Sequence, residues 1–499
     1  RSQEIPGLPD PNTKMEKDLL HKIYYRLFGK ESVLSRKMAI HNSLKARSVM
    51  RQEHLKWQND LETNLSKLNL LGKLKRYDHH LTHAANAYFS SGFEEALIVT
   101  LDGYGSGLAG SICIGRDNKI QRIHELEYPY SLGTFYESVT SSLGYKPGRH
   151  EGKIVGLAAY GSSEILADIL LSRFKQENGN FKILESNNIF FSRYLSTIFP
   201  KIDIAATYQY ILEKVAVEYV KYYADKTNIR NIVMSGGVVA NVKLNQRIFA
   251  IPGIERIFIY PNMGDGGCAT GSAFLASQSY MDSNQPLSDV YFGPNYSDDT
   301  IKKSLAEHGL DFTYENNIEH EIAQYIHNGK VVARFNGRME YGPRALGNRS
   351  ILYRASEPDV NQWLNHQLGR TEFMPFAPAT LYEERHRCYK RIDGAEYTAQ
   401  FMTITFDCTK EMIENSPAAV HIDGTARPQL VKKETNKSFY NIIDEYHKLS
   451  GIPTIINTSF NMHEEPIVNS PDDAIRAFLD GNLDVLAIGN CLVKHPKRT

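Results

Sequence analysis

The sequence has few cysteines and no long apolar run. Its five cysteines are scattered and none forms a Cys-x-x-Cys pair, which argues against a disulfide framework or a zinc-finger geometry and is typical of a reducing compartment. No apolar run approaches the roughly 20 residues that a membrane-spanning helix needs, and the polar start, residues 1–10, does not resemble a signal peptide. We therefore expect a cytoplasmic protein with no membrane partner.

Net charge is also absent. Fifty-seven basic residues balance fifty-seven acidic ones, so no overall charge favours nucleic acid as a partner. A local excess lies in residues 14–76, where about fifteen Lys and Arg stand against six Asp and Glu in a sequence with helical periodicity. This run is either a solvated helical face or a face for an acidic acceptor or partner.

The 499 residues are enough for about three domains with real cores. After the helical start, short apolar runs alternate with helical segments, which predicts an α/β fold. Residues 286 to about 317, with polar clusters and two prolines, are the best candidate for a linker. The predicted strands are 96–101, 111–114, 231–234 and 257–260 before it, and 331–335, 401–406, 454–456 and 485–488 after it.

Two histidines and two aspartates form a candidate metal site. His79 and His83 are four residues apart, so a helix would place both imidazoles on one face. Asp102 and Asp265 each follow a predicted strand into a glycine turn, where a carboxylate can meet a metal at the edge of the sheet. This donor set suits Fe²⁺ first, with Mn²⁺ and Zn²⁺ as alternatives. His80 points elsewhere on such a helix and is expected to be structural.

Glycine turns and one lysine are candidates for phosphate contacts. Turns at strand ends let backbone N–H groups approach phosphate and ribose, and a lysine can neutralise a phosphate. The residues concerned are Gly236, Gly237 and Asn241 after one strand, Gly266 after the next, and Lys153.

An arginine-rich loop, residues 342–350, contains Arg344 and Arg349 five residues apart. Arginine offers a planar fork of donors for phosphate or carboxylate oxygens, although a solvated surface loop is the plainer alternative. Polar side chains further along the chain are candidates to complete a pocket for a doubly charged phosphate ester. These are His421 and Arg427 in the segment 421–429, with Asn457 and Ser459 at the end of a predicted strand.

Taken together, these segments resemble the NodU/CmcH family of O-carbamoyltransferases. The matching segments run in family order over roughly four fifths of the chain: HHLTHAANAY, LDGYGSG, EGKIVGLAAYG, SGGVVAN, GDGGCATGSA, GRMEYGPRALGNRSIL, HIDGTARPQ and NTSFNMHEEPIV.

The resemblance implies a two-part architecture. A helical segment, residues 1–76, would precede an actin-like metal- and nucleotide-binding domain of the ASKHA type over residues 77–310, and a YrdC-like α/β domain would follow over residues 311–499. In the family, the second domain joins carbamoyl phosphate to ATP as carbamoyl-adenylate, and the first transfers the carbamoyl group to a hydroxyl of a small acceptor.

The resemblance also assigns roles to residues. His79, His83, Asp102 and Asp265 would bind the divalent metal. Lys153, Gly236, Gly237, Asn241 and Gly266 would hold nucleotide, with Mg²⁺ accompanying ATP. In the second domain, the expected catalytic residues are Arg344, Arg349, His421 and Arg427. Ser350, Asn457 and Ser459 would bind carbamoyl phosphate and ATP there.

Two departures from the family pattern stand out. Family members open with a β-hairpin that carries a His-Asp pair, and no such pair precedes His79 here, so we expect a fragment or a replaced first hairpin. Many members have arginine where Met374 stands, and Arg370 is expected to supply that charge instead.

Alternatives to this function are a tRNA threonylcarbamoyl-transferase-like enzyme, which the balanced charge argues against, and a non-catalytic nucleotide-binding protein. The sequence leaves open a homodimer, the identity of the acceptor, and whether the metal polarises the carbamoyl carbonyl or lowers the pKa of the acceptor hydroxyl.

Overall fold

The structure is a computed structural model that describes residues 13–29, 33–183, 188–277, 284–369 and 375–497. Arg370 and Met374, on which one sequence argument depends, lie outside these residues. Helices and strands alternate along the chain, as predicted. The helices are α1 (Leu19–Gly29), α2 (Val33–Lys67), α3 (His79–Phe89), α4 (Leu132–Ser142), α5 (Glu151–Ala158), α6 (Ala167–Leu171), α7 (Asn188–Ser196), α8 (Lys201–Thr227), α9 (Val242–Phe249), α10 (Cys268–Ser277), α11 (Asp298–Glu307), α12 (Ile318–His327), α13 (Val360–Gln367), α14 (Arg385–Cys388), α15 (Glu396–Ala399), α16 (Lys410–Asn415), α17 (Lys437–Ser450) and α18 (Pro471–Asp480).

The strands form two main sheets and two small two-stranded pairs. They are β1 (Glu95–Gly105), β2 (Leu108–Arg116), β3 (Lys119–Glu127), β4 (Phe174–Glu177), β5 (Asn180–Ile183), β6 (Asn231–Ser235), β7 (Arg256–Ile259), β8 (Thr313–Tyr314), β9 (Val332–Phe335), β10 (Arg349–Arg354), β11 (Ala377–Leu381), β12 (Phe406–Asp407), β13 (Thr425–Ala426), β14 (Gln429–Val431), β15 (Thr454–Ser459), β16 (Val485–Ile488) and β17 (Cys491–Lys494).

The first sheet has the strand order β3-β2-β1-β6-β7. Strands β1, β6 and β7 are parallel, whereas β2 is antiparallel to both of its neighbours. The apolar run in β1 is buried on both faces, as expected for a central strand covered by helices. Each fully buried Leu, Ile or Val contributes about 1.5–3 kcal/mol. The parallel strands end at one edge of the sheet, and that edge carries the predicted aspartates and glycine turns.

Helix α3 begins where the first histidine of the predicted metal site stands. Asp78 caps it by accepting a hydrogen bond from the Leu81 N–H, 2.8 Å, which satisfies one of the free donors of the first turn. The helix packs between the first sheet and α10. At Gly271 of α10, an added Cβ would overlap the Thr82 carbonyl oxygen of α3, so glycine permits this close approach.

The second sheet has the order β14-β11-β15-β10-β9-β16-β17-β8. Helices α12 and α17 cover one face through a buried apolar cluster that includes Ile322, Phe439 and Ile442. Helix α18 begins with a capping box, in which the Ser470 and Asp473 side chains each accept a hydrogen bond from the other's backbone N–H. The arginine-rich loop lies between the neighbouring strands β9 and β10.

Seven predicted strands are confirmed, and one is largely wrong. Residues 401–405 are not a strand; only Phe406 and Asp407 pair, as β12. The segment 401–405 is nevertheless buried, which explains its apolar sequence. The predicted linker, 286–317, is also more structured than expected: it contains α11, and β8 near its end pairs with β17 of the second sheet.

Helix α9 makes polar contacts with the small β12–β13 sheet and the residues beside it. Lys243 donates to the carboxylate of Asp423, 2.7 Å, and to the Thr425 hydroxyl, 3.1 Å. Two residues along the same helix bond to the segment 403–407: Asn245 to the Thr403 carbonyl and Gln246 to Asp407. These bonds fix the relative position of the elements that surround the candidate site. Within the described ranges, no helix combines the length and the hydropathy that crossing a bilayer would require.

Candidate metal centre and active-site cavity

The four predicted metal ligands converge at the carboxyl edge of the first sheet. The Nε2 atoms of His79 and His83 lie 3.2 Å apart, and one carboxylate oxygen of Asp102 lies 2.9 Å from the first and 3.2 Å from the second. An oxygen of Asp265 lies 3.7 and 3.8 Å from the same two nitrogens. Two nitrogens and two carboxylates therefore point at one small volume.

The surroundings of His83 set its tautomer. Its Nδ1 lies 3.0 Å from the Ser235 hydroxyl, and that hydroxyl donates its only proton to the Met263 carbonyl, 3.2 Å away. Ser235 must therefore accept a hydrogen bond from Nδ1–H. A neutral His83 then has its free electron pair on Nε2, directed at the cluster. Metal-binding histidines are oriented in the same way, by a hydrogen bond from their other ring nitrogen.

Backbone N–H groups orient Asp102. Its Oδ1 accepts from the N–H of Gly103, 2.7 Å, and of Gly237, 3.2 Å, which leaves Oδ2 facing the imidazoles. Gly236 has φ +109°, and a Cβ there would overlap the Leu101 carbonyl. Because glycine alone adopts this conformation readily, the turn that contains Gly236 and Gly237 can hold Asp102 in the cluster.

The charges within the cluster complement one another. Burial lowers the pKa of His83, but hydrogen bonds to Asp102 and Asp265 outweigh burial and raise it to about 11. Burial raises the pKa of Asp102, yet its bonds to the two histidines hold the value well below its usual range. A divalent cation satisfies the same carboxylates in place of the histidine protons, so the donor set fits such an ion.

His80 points away from the cluster, as predicted. Its Nδ1 contacts the Thr100 hydroxyl at 3.0 Å, and burial lowers its pKa to about 4. It is therefore neutral at physiological pH.

Two further side chains belong to this region and were missed from the sequence. Cys268 Sγ lies 3.5 Å from the Nε2 of His83. Glu137 on α4 lines the same wall as Asp102 and makes no hydrogen bond or ion pair with any residue that the structure describes. Burial and the nearby carboxylates of Glu151 and Asp102 raise its pKa. The sequence around Cys268 and Glu137 did not predict a role in the site, because neither residue stands at a spacing typical of a metal ligand or a catalytic group.

A cavity of about 870 Å³ extends from this centre to the second sheet. Its volume suits a nucleotide-sized ligand. The predicted site residues that line it are Asp102, Lys153, Gly237, Asn241, Asp265, Arg344, Arg427, Asn457 and Ser459.

The arginine-rich loop is folded around a carboxylate. One oxygen of the buried Glu340 accepts hydrogen bonds from the N–H groups of Leu346, Asn348 and Arg349, at 2.7–3.1 Å. Within this arrangement Arg344 is half-buried and lines the cavity. The plainer interpretation of a solvated loop is therefore wrong.

Arg349 does not occupy the predicted position in the phosphate pocket. It is fully buried and does not line the cavity. Its guanidinium donates to four backbone carbonyls, those of Asn336, Gly337, Asn348 and Pro294, at 2.9–3.2 Å. It also stacks on the Phe335 ring, 3.7 Å from the centroid. The conformation of the loop brings these carbonyls together, and a buried carbonyl needs a donor.

Other predicted contacts also lie outside the cavity lining. The Ser350 hydroxyl accepts from the Gly347 N–H, 3.0 Å, so it shapes the loop. His421 is buried beside Asp423, 3.5 Å, with its ring edge against Tyr160, at the junction with α9. Gly236 lies behind Asp102, and Gly266 lies on the exposed turn before α10.

Asn241 and Asn457 both line the cavity, but they differ in whether their side-chain atoms already have hydrogen-bond partners. Asn241 caps α9 through the Leu244 N–H and exchanges two hydrogen bonds with Gln209, so its side chain is already paired. The Nδ2 of Asn457 donates to Ala345 O and to Gln429 Oε1. Its buried Oδ1 has no hydrogen-bond partner among the described residues, which leaves an acceptor for a ligand N–H.

Two protein families match most of the chain. The carbamoyltransferase N-terminus family matches residues 48–274 and the carbamoyltransferase C-terminus family matches residues 323–495. The nodulation protein NolO of Bradyrhizobium diazoefficiens is 30% identical over 442 residues, which are 84% of this chain and 78% of NolO. An uncharacterized protein of Methanocaldococcus jannaschii is 35% identical over 477 residues, 88% of this chain and 78% of that protein.

Among solved structures, HypF of T. kodakarensis is 16% identical, and the alignment covers 41% of this chain and 37% of HypF. The TM-score of 0.29 is too low to carry an argument. The sequence relationships are sufficient by themselves: the chain belongs to the carbamoyltransferase family. It is therefore an enzyme that transfers carbamoyl groups, as the resemblance predicted.

Proposed function

We propose that this chain is an ATP-dependent O-carbamoyltransferase. It forms carbamoyl-adenylate from carbamoyl phosphate and ATP, and it then transfers the carbamoyl group to a hydroxyl of a small-molecule acceptor. The observation that carries the proposal is the cavity of about 870 Å³, which is lined by Asp102 and Asp265 from the first half of the chain and by Arg344 and Arg427 from the second half.

The arginine side of the cavity suits adenylate formation. Carbamoyl phosphate and ATP are both anionic, so their approach requires opposing positive charge. Arg344 and Arg427 supply guanidinium groups on the wall where the phosphates would meet, and such preorganised charge stabilises a leaving pyrophosphate. The free Oδ1 of Asn457 accepts a hydrogen bond from the carbamoyl amide, which distinguishes a carbamoyl group from an ester or a carboxylate.

The nucleotide would extend towards the first sheet. Lys153 and the backbone of Gly237 line this part of the cavity, and they provide a charge and a close backbone approach for phosphate. Asn241 contributes through the rigid start of α9, since its side chain is paired with Gln209. Mg²⁺ would accompany ATP as its usual counterion.

The histidine–aspartate side suits transfer. His79, His83, Asp102 and Asp265 would hold Fe²⁺, Mn²⁺ or Zn²⁺, in agreement with nitrogen and oxygen donors. When bound, such an ion polarises a carbonyl or lowers the pKa of a hydroxyl. Glu137 lies on the same wall and presents a carboxylate that can accept a hydrogen bond from the acceptor hydroxyl.

A continuous cavity would also protect the carbamoyl-adenylate intermediate from water. A carbamoyl-adenylate hydrolyses readily in water, so a path between the two sites within the protein would protect it.

Features of both sheets support the finer fold assignment. The order β3-β2-β1-β6-β7, with β2 antiparallel to its neighbours, agrees with an actin-like domain over residues 77–310. The large mixed sheet agrees with a YrdC-like domain over residues 311–499.

Pyrophosphate release by the full chain tests the proposal. We expect release that requires both ATP and carbamoyl phosphate. Arg344→Ala should abolish it, because the cavity loses a phosphate-facing charge. His79→Ala should retain pyrophosphate release and lose carbamoyl transfer. Mass spectrometry of candidate hydroxylated acceptors measures the transfer.

Release at the wild-type rate in Arg344→Ala would refute the role given to the second half of the chain. Loss of release in His79→Ala, with unchanged circular dichroism, would show that the two sites are not separable.

A further inference from the structure

We propose that Cys268 Sγ is a ligand of the metal held by His79 and His83, an inference that rests on the proposed metal centre. Four donor atoms, from His79, His83, Asp265 and Cys268, all lie within 4.8 Å of one another. The thiol thus shares the volume at which both imidazoles point.

The spacing of the donors agrees with a shared ion. Ligands bound at about 2.0–2.3 Å in a tetrahedral arrangement are separated from one another by roughly 3.3–3.6 Å. The Nε2 atoms are 3.2 Å apart, and Cys268 Sγ lies 3.5 Å from the Nε2 of His83. Asp265 Oδ1 is slightly further, 3.7 and 3.8 Å from the two nitrogens. The remaining separations within this group are at most 4.8 Å.

The fixed orientation of the His83 ring is a second indication. His83 is fully buried, and its Nδ1–H is committed to Ser235, which itself donates to Met263. Its Nε2 is therefore the ring atom directed at the cluster, 3.5 Å from Cys268 Sγ. Without an ion, the facing Nε2 atoms of His79 and His83 share Asp102 Oδ2 as their partner, and the thiol lies beside the second of them. An ion bound by the thiolate, with release of the thiol proton, satisfies all three groups.

The position of the thiol is fixed by the fold. Cys268 is the first residue of α10, which packs closely on α3 because Gly271 has no Cβ. Helix α3 carries both histidines, so the helix contact that joins α3 and α10 also sets the distance between sulfur and nitrogen. A thiolate donor favours Zn²⁺, Co²⁺ or Fe²⁺ over Mn²⁺ and Mg²⁺, since the latter prefer oxygen ligands.

Cobalt substitution of the full chain tests this assignment. Co²⁺ bound by a thiolate gives a sulfur-to-metal charge-transfer band in the near ultraviolet. We expect this band in the wild-type protein and in Cys113→Ser, whose sulfur is buried in β2 away from the site. We expect Cys268→Ser to lose the band and to bind Zn²⁺ at least about tenfold more weakly, as measured by competition with a chromogenic chelator.

X-ray absorption of the zinc-loaded wild-type protein provides a measurement that needs no variant. One sulfur scatterer at about 2.3 Å is expected, besides nitrogen and oxygen at about 2.0–2.1 Å. Bound cobalt without a charge-transfer band, or zinc with nitrogen and oxygen neighbours only, would overturn the role of Cys268 and leave the centre intact. A protein that bound neither Zn²⁺ nor Co²⁺ would overturn the metal centre itself.

Discussion

The metal centre and the arginine-rich loop are both dense in charged side chains, yet they differ in what those side chains contact. At the centre, His79, His83 and Asp102 direct their Nε2 and Oδ2 atoms at one volume, where these atoms contact one another. In the loop, the guanidinium of Arg349 donates hydrogen bonds to four backbone carbonyls, and Arg334 donates to Gly347 and Ser438. Only a part of the loop's charge therefore faces the cavity, through Arg344.

This difference distinguishes side chains that can bind a ligand from side chains that stabilise the fold. A side chain whose polar atoms face an open cavity can bind a ligand, whereas a side chain whose hydrogen bonds go to buried backbone carbonyls stabilises the fold. Removing a member of the first kind should mainly affect ligands, and removing a member of the second should mainly affect stability.

The largest expected effect is on stability in the loop. Arg349→Ala should lower the free energy of unfolding by about 3–5 kcal/mol, because it leaves buried carbonyls without donors. Urea denaturation followed by circular dichroism measures this. Arg344→Ala is the matched control and should unfold within about 0.5 kcal/mol of wild type, as expected for a side chain outside the packed core. Equal stability of the two variants would contradict the conclusion that Arg349 stabilises the loop and Arg344 does not.

Metal binding should have the next largest effect, at the other region. With Zn²⁺ at about one hundred times its Kd, the free energy of unfolding should rise by about 2.7 kcal/mol, since the ion binds the folded chain. The rise should disappear on adding a chelator and should be absent in the double variant His79→Ala/His83→Ala. Thermal unfolding with and without zinc provides the comparison, and an unchanged transition in wild type would contradict a preformed centre.

A smaller effect is expected for Ser235, whose hydroxyl orients the proposed metal ligand His83. Ser235→Ala should weaken Zn²⁺ affinity about 10- to 100-fold, because His83 loses the partner that fixes its tautomer. Thr100→Val is the control, as its hydroxyl contacts His80 and not a ligand. Isothermal titration of both variants measures the difference. Comparable losses in the two would mean that general packing, and not the tautomer, governs affinity.

The smallest expected effect lies between the regions and depends on pH. Burial opposes ionisation of Asp423, but bonding by His421 and the charge of Lys243 hold its pKa well below its usual range. A carboxyl with a lowered folded pKa stabilises above its unfolded value of about 3.9 and loses that stabilisation as the pH falls.

Asp423→Asn should therefore cost about 1 kcal/mol near pH 7 and progressively less below pH 4. Urea denaturation across this pH range reports it. A difference between wild type and variant that stayed constant with pH would exclude the Lys243–Asp423 pair as its source.

The sequence by itself determined the α/β alternation and the central strands, and it predicted the four side chains that converge at the proposed metal centre. Apolar runs such as 96–101 specify buried strands, and parallel strands end at one edge, so the side chains that follow them must meet. The spacing of His79 and His83 needs only a helix to bring both to one face. Short-range geometry is sufficient for such predictions.

Only the tertiary structure decided which arginines face the cavity and that Cys268 joins the histidines. Arg344 and Arg349 are alike in type and in local sequence, and their roles diverge because Glu340 gathers the backbone of residues 346–349 around itself. Cys268 approaches His83 through the packing of α10 on α3, a contact between segments 185 residues apart. Long-range packing sets these distances, and no local pattern encodes them.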